Sequence, residues 1–376
     1  MKLKYAHIEN FKGVKEVRMD FQPPPEKQPV NMHAIIGDNG SGKTTVLQAI
    51  ALTLSLATRK TRRMEDFQWY GFLPERIGTL GKTRVELGIE FTEDEIKLNK
   101  RLFDEWKRLQ SPEWLQTHRI EEPGQFKSVT LVLERGELKA KEGFPALLQF
   151  LGRYYVKTSI RNAPQLREFF PQLGDVFWFD QYRNLGTAGF SQMSSELNGG
   201  EKRDDKEEPS EPPSFLAGVE TLREALVVMW GYQVRPPGSH YTNYIPKLRE
   251  KFSLLFPGTN FVGTAEMESA TAPRVRSSYF LLERDGRVFD LAEMSSGEQA
   301  FFAVIYDFVR LGIQQSVVLV DELELHLHPP EQQAFLTGLQ KIGPDCQFII
   351  STHSSFVEGS IGKEFKTRLP GGRLCL

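Results

Sequence analysis

Three stretches of this 376-residue chain carry residue types at spacings suited to phosphate chemistry. Gly37-Asp38-Asn39-Gly40-Ser41-Gly42-Lys43-Thr44 fits the pattern G-x-x-x-x-G-K-[ST] in full. Glycines there let backbone N–H groups approach a phosphate closely, and the helix that follows adds positive potential at its N-terminus. Asn39, Gly40, Ser41, Gly42 and Thr45 are candidate nucleotide contacts. Lys43 is suited to reach the β- and γ-phosphates, and Thr44 to hold Mg²⁺. The second stretch runs from Ser316 to Val320 and ends in Asp321-Glu322. A run apolar on both faces suits a central parallel strand. Its C-terminal end is where an open α/β sheet binds ligands. Asp321 is expected to order the Mg²⁺ shell and Glu322 to act as the catalytic base on the attacking water. The third stretch is Met294-Ser295-Ser296-Gly297-Glu298-Gln299, just before an apolar helical segment. Ser295 and Glu298 also have the spacing of a helix capping box. The order of the three motifs, with Gly297 lying 24 residues before Asp321, favours a nucleotide site.

These residues need elements to position them. Met32 to Ile36 is a short apolar run before the glycine loop. Thr44 to Ala57 carries apolar residues at helical spacing, so strand, loop and helix follow from pattern alone. Lys2 to Phe21 reads as strand, turn, strand, and residues 83–91 alternate as a strand. Thr92 to His118 reads as one helix. Val129 to Leu133 and Val176 to Phe179 are further strand candidates. Phe215 to Trp230 and Tyr241 to Phe256 read as helices, and Asp285-Gly286 marks a hairpin. From Ser296 the pattern is helix, strand, helix, strand, helix. Residues 191–213 are rich in Ser, Gly, Glu, Asp, Lys and Pro and read as a mobile linker loop.

Composition sets limits. Hydrophobic residues make up 40% and charged residues 26%, which excludes a disordered or fibrous chain. A net charge of -2 excludes a uniformly basic nucleic-acid coat but leaves room for a local basic groove. Two cysteines, Cys346 and Cys375, point to a reducing compartment without structural zinc. No stretch has the length of a membrane span or the form of a leader. A cytoplasmic protein without a membrane partner is expected.

Taken together, the motifs resemble the ABC-class ATPases, in the branch that holds SMC, RecF and the overcoming-lysogenization-defect (OLD) proteins. Asn10-Phe11-Lys12-Gly13 looks like that branch's N-terminal Asn-Phe-[Lys/Arg] element, and Met294 to Glu298 is similar to its signature. Ser351-Thr352-His353-Ser354, after a strand, resembles the switch-histidine segment. Asp321-Glu322-Leu323-Glu324-Leu325-His326-Leu327-His328-Pro329 resembles the acid strand and following loop of OLD-like proteins. The likeness covers residues 1–60 and 285–358. It implies an α/β fold of the ABC-ATPase type, with an N-terminal mixed β-sheet packed on a parallel phosphate-loop core. It implies one domain over residues 1–376, with helical and strand insertions over 92–256. ATP and Mg²⁺ are the implied substrate and metal. The signature of one copy would close over nucleotide held by another, with Ser295, Gly297 and Glu298 contacting it in trans. A homodimer or higher oligomer follows. His353 would contact the γ-phosphate or position water, Lys12 would lie near the nucleotide, and Gln181 or, less well, Gln68 would sense Mg²⁺.

The output is less determined. The 23 residues after His353 leave no room for the Toprim nuclease that OLD-like proteins often carry. A separate effector, nuclease or toxin, is therefore expected, with the ATPase sensing or clamping DNA or controlling that effector in anti-phage defence. A RecF-like repair ATPase, an ATP-bound scaffold and a transporter motor are the alternatives. The His326-x-His328 pair reads as part of the loop rather than a metal site. Arg59-Lys60-Thr61-Arg62-Arg63 reads as a solvated helix end, with nucleic-acid binding as the alternative.

Overall fold

The computed structural model describes residues 1–23, 28–69, 71–79, 81–117, 120–180, 219–233, 243–266, 278–325 and 327–371. The linker expected at 191–213 and Gln181, His326 and Cys375 lie outside them. The described strands are β1 (Lys2–Phe11), β2 (Val14–Asp20), β3 (Met32–Ile36), β4 (Arg84–Glu90), β5 (Ser128–Glu134), β6 (Glu137–Ala140), β7 (Val176–Phe179), β8 (Thr259–Glu266), β9 (Ser278–Arg284), β10 (Arg287–Asp290), β11 (Val317–Val320), β12 (Gln347–Thr352) and β13 (Lys366–Arg368). The helices are α1 (Lys43–Ala57), α2 (Glu93–Arg108), α3 (Pro112–Thr117), α4 (Phe144–Leu148), α5 (Gly152–Ser159), α6 (Val219–Tyr232), α7 (Ile245–Leu255), α8 (Ser296–Arg310), α9 (Pro329–Ile342) and α10 (Ser355–Ser360).

The chain comprises two compact units. The first unit holds residues 1–181, 313–325 and 343–376. It contains an antiparallel sheet ordered β2-β1-β4-β5-β6 and a parallel sheet ordered β13-β3-β12-β11-β7. The expected pairing of an N-terminal sheet with a parallel phosphate-loop sheet is present, and every described pair in the N-terminal sheet is antiparallel. Helix α1 shows why the two sheets belong together. It is apolar almost all round and buried from Val46 to Leu54. A helix of that kind needs apolar partners on opposite sides. Val46, Leu47, Ile50 and Leu54 share one core with Leu3, Ile8, Leu87 and Leu131 of the antiparallel sheet and Val317, Leu319 and Ile349 of the parallel sheet.

Within residues 92–256, β5 and β7 join the two sheets of the first unit. β5 pairs with β4 across seven residues, and β7 pairs with β11. The reason lies in composition, since all four residues of Val176-Phe177-Trp178-Phe179 are buried. The single helix expected over 92–118 is also two helices. Ser111-Pro112 interrupts it, because proline lacks the N–H that would continue the ladder and suits a new first turn instead. Thr92 and Glu95 form a capping box at the start of α2. Leu102 and Phe103 of α2 pack with Tyr155 and Val156 of α5 in a lateral core.

The second unit holds residues 182–312 and 326–342. Its described sheet is ordered β10-β9-β8. The hairpin between β9 and β10 turns on Asp285 and Gly286, with φ of 53° and 77°. This unit has its own aromatic core: Phe252 lies 4.6 Å from Phe302, and Phe261 lies 5.4 Å from Phe280, between ring centroids. Phe301 of α8 meets Phe335 of α9 edge to face at 4.2 Å. That core explains the division into two units.

On the antiparallel sheet of the first unit, Glu86 accepts hydrogen bonds from Lys141 at 2.7 Å, Arg84 at 2.7 Å and Tyr5 at 3.0 Å. Burial works to raise its pKa, but these donors outweigh it and pull the carboxyl down to about 2. The depressed folded value means the stabilisation is complete above the unfolded pKa near 4.5 and is lost as pH falls from there toward about 2. Glu86→Gln should therefore reduce stability at neutral pH by about 1–3 kcal/mol and flatten the acid limb. Urea unfolding of both proteins at pH 7 and pH 3.5 measures this; parallel losses on acidification would refute the assignment.

Candidate active site

The phosphate loop leaves β3 at Ile36 and enters α1 at Lys43. Gly40 and Gly42 have φ of 78° and 97°, a region that glycine enters without strain. Gly42 is constrained twice, since a Cβ there would stand 2.8 Å from Val14 Cγ2. Lys43 is buried and turns back over its own loop. Its Nζ donates to the carbonyls of Gly37 at 2.9 Å and Asp38 at 3.2 Å. Asn39 and Gly40 are exposed at the loop tip, and Thr45 is half-buried one residue beyond Thr44.

The adjacent parallel strands bring the remaining groups to the same sheet end. β11 pairs with β12, and β12 with β3. Asp321, directly after β11, is fully buried. It accepts from Thr44 Oγ1 at 2.8 and 3.1 Å and from Ser351 Oγ at 2.5 Å. Ser351 Oγ in turn accepts the backbone N–H of Glu322 at 2.8 Å. Glu322 has a φ of 46°, a conformation that costs a non-glycine residue about 1–3 kcal/mol. The bonds from Glu322 N and, at 3.1 Å, Leu323 N to Ser351 hold that kink. Glu322 Oε1 lies 3.5 Å from Lys43 Nζ, and its Oε2 is 2.8 Å from Nδ1 of His353. Lys43, Thr44, Asp321, Glu322 and His353 therefore converge in the first unit.

The donor set suits the groups the motifs imply. Thr44 Oγ1 and the Asp321 carboxylate are hard oxygen ligands of the kind Mg²⁺ takes. The hydroxyl of Ser41 is buried in the loop with no hydrogen-bond partner among the described residues, which fits a loop that receives ligand oxygens.

Other expected residues fall elsewhere. Lys12, with φ of 50°, donates to Gln48 Oε1 of α1 at 2.9 Å and stands 5.6 Å from the Phe72 ring. Burial first, and the charge of Arg76 second, lower its pKa. Gln68 is exposed, and its carbonyl accepts from Trp178 Nε1 at 3.1 Å. Ser295, Gly297 and Glu298 belong to the second unit. There Ser295 caps α8: its Oγ accepts from Glu298 N at 3.3 Å while Glu298 Oε2 accepts from Ser295 N at 2.9 Å. Glu298 is also paired with Arg284 at 2.8 Å. Burial pushes its carboxyl up, but these partners leave it below the usual value. Gly297 is buried where a Cβ would meet Glu331 and Leu327 at 3.0 Å.

Two features depart from the sequence reading. Lys60 is not part of a solvated helix end. Its side chain is buried, donates to the Val176 carbonyl at 2.6 Å and pairs with Asp175 at 3.3 Å. Burial, opposed by Asp175, pushes its pKa down to about 8. Arg59, Arg62 and Arg63 remain exposed. Ser351 and Glu324, both at the site, were not assigned roles from sequence. The only signal for them was their place beside His353 and Glu322.

Two protein families match the chain. One, described as "AAA ATPase domain", matches residues 1–134; the other, described as "AAA domain, putative AbiEii toxin, Type IV TA system", matches residues 175–357. The chain is 23% identical over 396 aligned positions to the retron Ec83 probable ATPase of Escherichia coli, covering 93% of this chain and 68% of that protein. It is 32% identical over 92 residues to the retron Vc95 probable ATPase of Vibrio cholerae serotype O1 biovar El Tor, covering 22% of this chain and 18% of that protein. It is 30% identical over 91 residues to the DNA replication and repair protein RecF of Lactococcus lactis subsp. cremoris, covering 24% of this chain and 23% of that protein. The matches thus span less than a quarter of the Vc95 and RecF relatives. Among solved structures, the SMC head domain from Thermotoga maritima aligns with 96% of this chain and 92% of its own, at 17% identity and a TM-score of 0.42.

Ser351 links Asp321 to the kinked backbone of Glu322. Ser351→Ala should leave a buried N–H unpaired and cost about 1–3 kcal/mol of stability. Urea unfolding of the nucleotide-free protein checks this. A change under about 0.5 kcal/mol, the range of an ordinary surface substitution, would show that the kink does not depend on the hydroxyl.

Proposed function

We propose that this chain, an ABC-class ATPase of the SMC/RecF-like branch, hydrolyses ATP at the site described and uses nucleotide-dependent closure between copies to control a partner effector. The observation that supports this most directly is the convergence of Lys43, Thr44, Asp321, Glu322 and His353 at one end of the parallel sheet. ATP is the substrate. The loop N–H groups and Lys43 bind its phosphates, and in doing so Lys43 leaves Glu322. Thr44 and Asp321 are the residues that would hold Mg²⁺, which when bound offsets the negative charge of the phosphate oxygens. Glu322 then accepts a proton from the water that attacks the γ-phosphorus, the bond to the β-phosphate oxygen breaks, and ADP and phosphate leave. His353 sits beside Glu322, in position to contact the γ-phosphate or orient that water.

Closure rests on the signature. Ser295, Gly297 and Glu298 would meet the γ-phosphate bound to a second copy, and hydrolysis would remove the contact that favours the closed state. The capping box between Ser295 and Glu298 fixes the N-terminal turn of α8 that carries these residues. The matches to retron ATPases and to a family described through a toxin support an output through a partner effector, as in anti-phage defence. The RecF match supports a second reading, a DNA-repair ATPase. No described helix is long and apolar enough to cross a membrane.

The mass of Glu322→Gln by light scattering after gel filtration, with and without Mg-ATP, tests the closure. The expected result is a monomer that becomes a dimer on adding ATP, while Lys43→Ala loses ATP binding by at least about a hundredfold, roughly 3 kcal/mol of phosphate contacts. A mass already oligomeric and indifferent to ATP would replace closure with a standing scaffold. Turnover of Glu322→Gln at the wild-type rate would remove Glu322 as the base. Stimulation of wild-type turnover by duplex DNA would favour the repair reading.

A further inference from the structure

Glu324 is a second buried carboxylate at the site, and the phosphate chemistry above does not use it. It lies on the loop after β11, two residues past Glu322, with its side chain 7% exposed. Its Oε1 accepts the backbone N–H of His353 at 2.5 Å and of Ser354 at 3.1 Å. It thereby ties the loop after β11 to the loop after β12. The same oxygen stands 2.8 Å from Nδ1 of His353. That nitrogen also faces Glu322 Oε2 at 2.8 Å. Its other oxygen, Oε2, is buried without a hydrogen-bond partner among the described residues. Such a group is costly to keep, which argues for a role beyond packing.

The two carboxylates bear on which ring nitrogen carries the proton. An ionised carboxylate oxygen only accepts. Nδ1 faces two of them, so it must be the donor. In the neutral ring Nε2 is then the unprotonated nitrogen, and neither carboxylate holds it. Glu322 cannot keep this arrangement and also serve water. In this structure it is engaged at Oε1 by Lys43 and at Oε2 by His353. When it turns to water, the imidazole needs another anchor. Glu324 is pinned by two backbone N–H groups and cannot follow Glu322 away.

We propose that Glu324 is the positioning residue of His353: it holds the ring in the Nδ1–H form and retains it when Glu322 turns to the attacking water. The proposal rests on the ATPase reading of this site and names a residue that acts through another. Without the Glu324 charge, His353 falls wholly on Glu322 and masks the base. Partners that orient a functional imidazole, in the metal sites where this has been measured, cost about 10–100-fold when removed, and a loss of kcat in that range is expected here.

Glu324→Gln is the informative variant. Its amide carbonyl can still accept from His353 N and Ser354 N, so the loop connection survives while the charge is lost. The expected result is a kcat about 10–100-fold lower with the KM for ATP unchanged within about twofold. In a His353→Ala background, Glu324→Gln should cost nothing further, because residues that act as a unit are not additive. The second readout is independent of turnover: ¹⁵N spectra of histidine-labelled, nucleotide-free wild type, with His353 assigned by His353→Ala. The ring should be protonated at Nδ1 in wild type and in Glu322→Gln, where Glu324 alone holds it, and lose that preference in Glu322→Gln/Glu324→Gln. Protonation at Nε2 in wild type, a wild-type kcat in Glu324→Gln, or an equal further loss in the double variant would each overturn the proposal. If Glu322→Gln turned over normally, the base assignment would fall while the spectra still decided Glu324.

Discussion

The site depends on the acceptance of two hydroxyl hydrogen bonds by one buried carboxylate. Asp321 takes Thr44 Oγ1 from the start of α1 and Ser351 Oγ from the end of β12. A buried charge is costly unless it is paired and hydrogen-bonded. Asp321 therefore fixes where three chain segments, from the ends of β3, β11 and β12, stand relative to one another. Ser351 passes the constraint on. Its oxygen accepts the Glu322 N–H and so supports a backbone conformation that glutamate seldom takes. The strain lies at the residue whose carboxylate meets both Lys43 and His353.

Behind this clamp, the fold supplies rigidity. Helix α1 carries the phosphate loop and has an apolar surface nearly all round. Wedged in one core with both sheets of its unit, it has little freedom to shift. Lys43 and Thr44 are its first residues, so both inherit the placement of this buried helix. The signature is mounted differently. Helix α8 rests on a separate aromatic core in the second unit.

Charge placement in the first unit is selective. Lys60, three residues past the C-terminal end of α1, and Asp175 form a buried pair at the start of β7. Lys43 and Glu322 form another at the site itself. The first pair is locked by a carbonyl and an aromatic face, with Lys60 Nζ 3.9 Å from the Phe177 ring. In the second, at 3.5 Å, Lys43 is likewise held by the Gly37 and Asp38 carbonyls, and the carboxylate is shared with His353.

Much of this was legible in sequence because the signals are local. The glycine loop, the apolar run before Asp321 and Glu322, and Asp285-Gly286 each declare a backbone conformation within a few residues. The resemblance to the SMC, RecF and OLD branch rested on such segments. The division of the middle region was not legible. β5 and β7 find partners only through long-range pairing, and Pro112 had to be weighed against an otherwise helical pattern. Lys60 looked solvated in a basic run, because its partner Asp175 lies more than a hundred residues along the chain. Ser351 and Glu324 were invisible for the same reason. A serine before Thr-His and a second acid in a loop have no meaning until β11 and β12 lie side by side. Residue types and short spacings determined the chemistry this protein can offer. Only the tertiary structure decided which carboxylate meets which hydroxyl or imidazole, because hydrogen bonds act over about 3 Å and only folding brings distant segments that close.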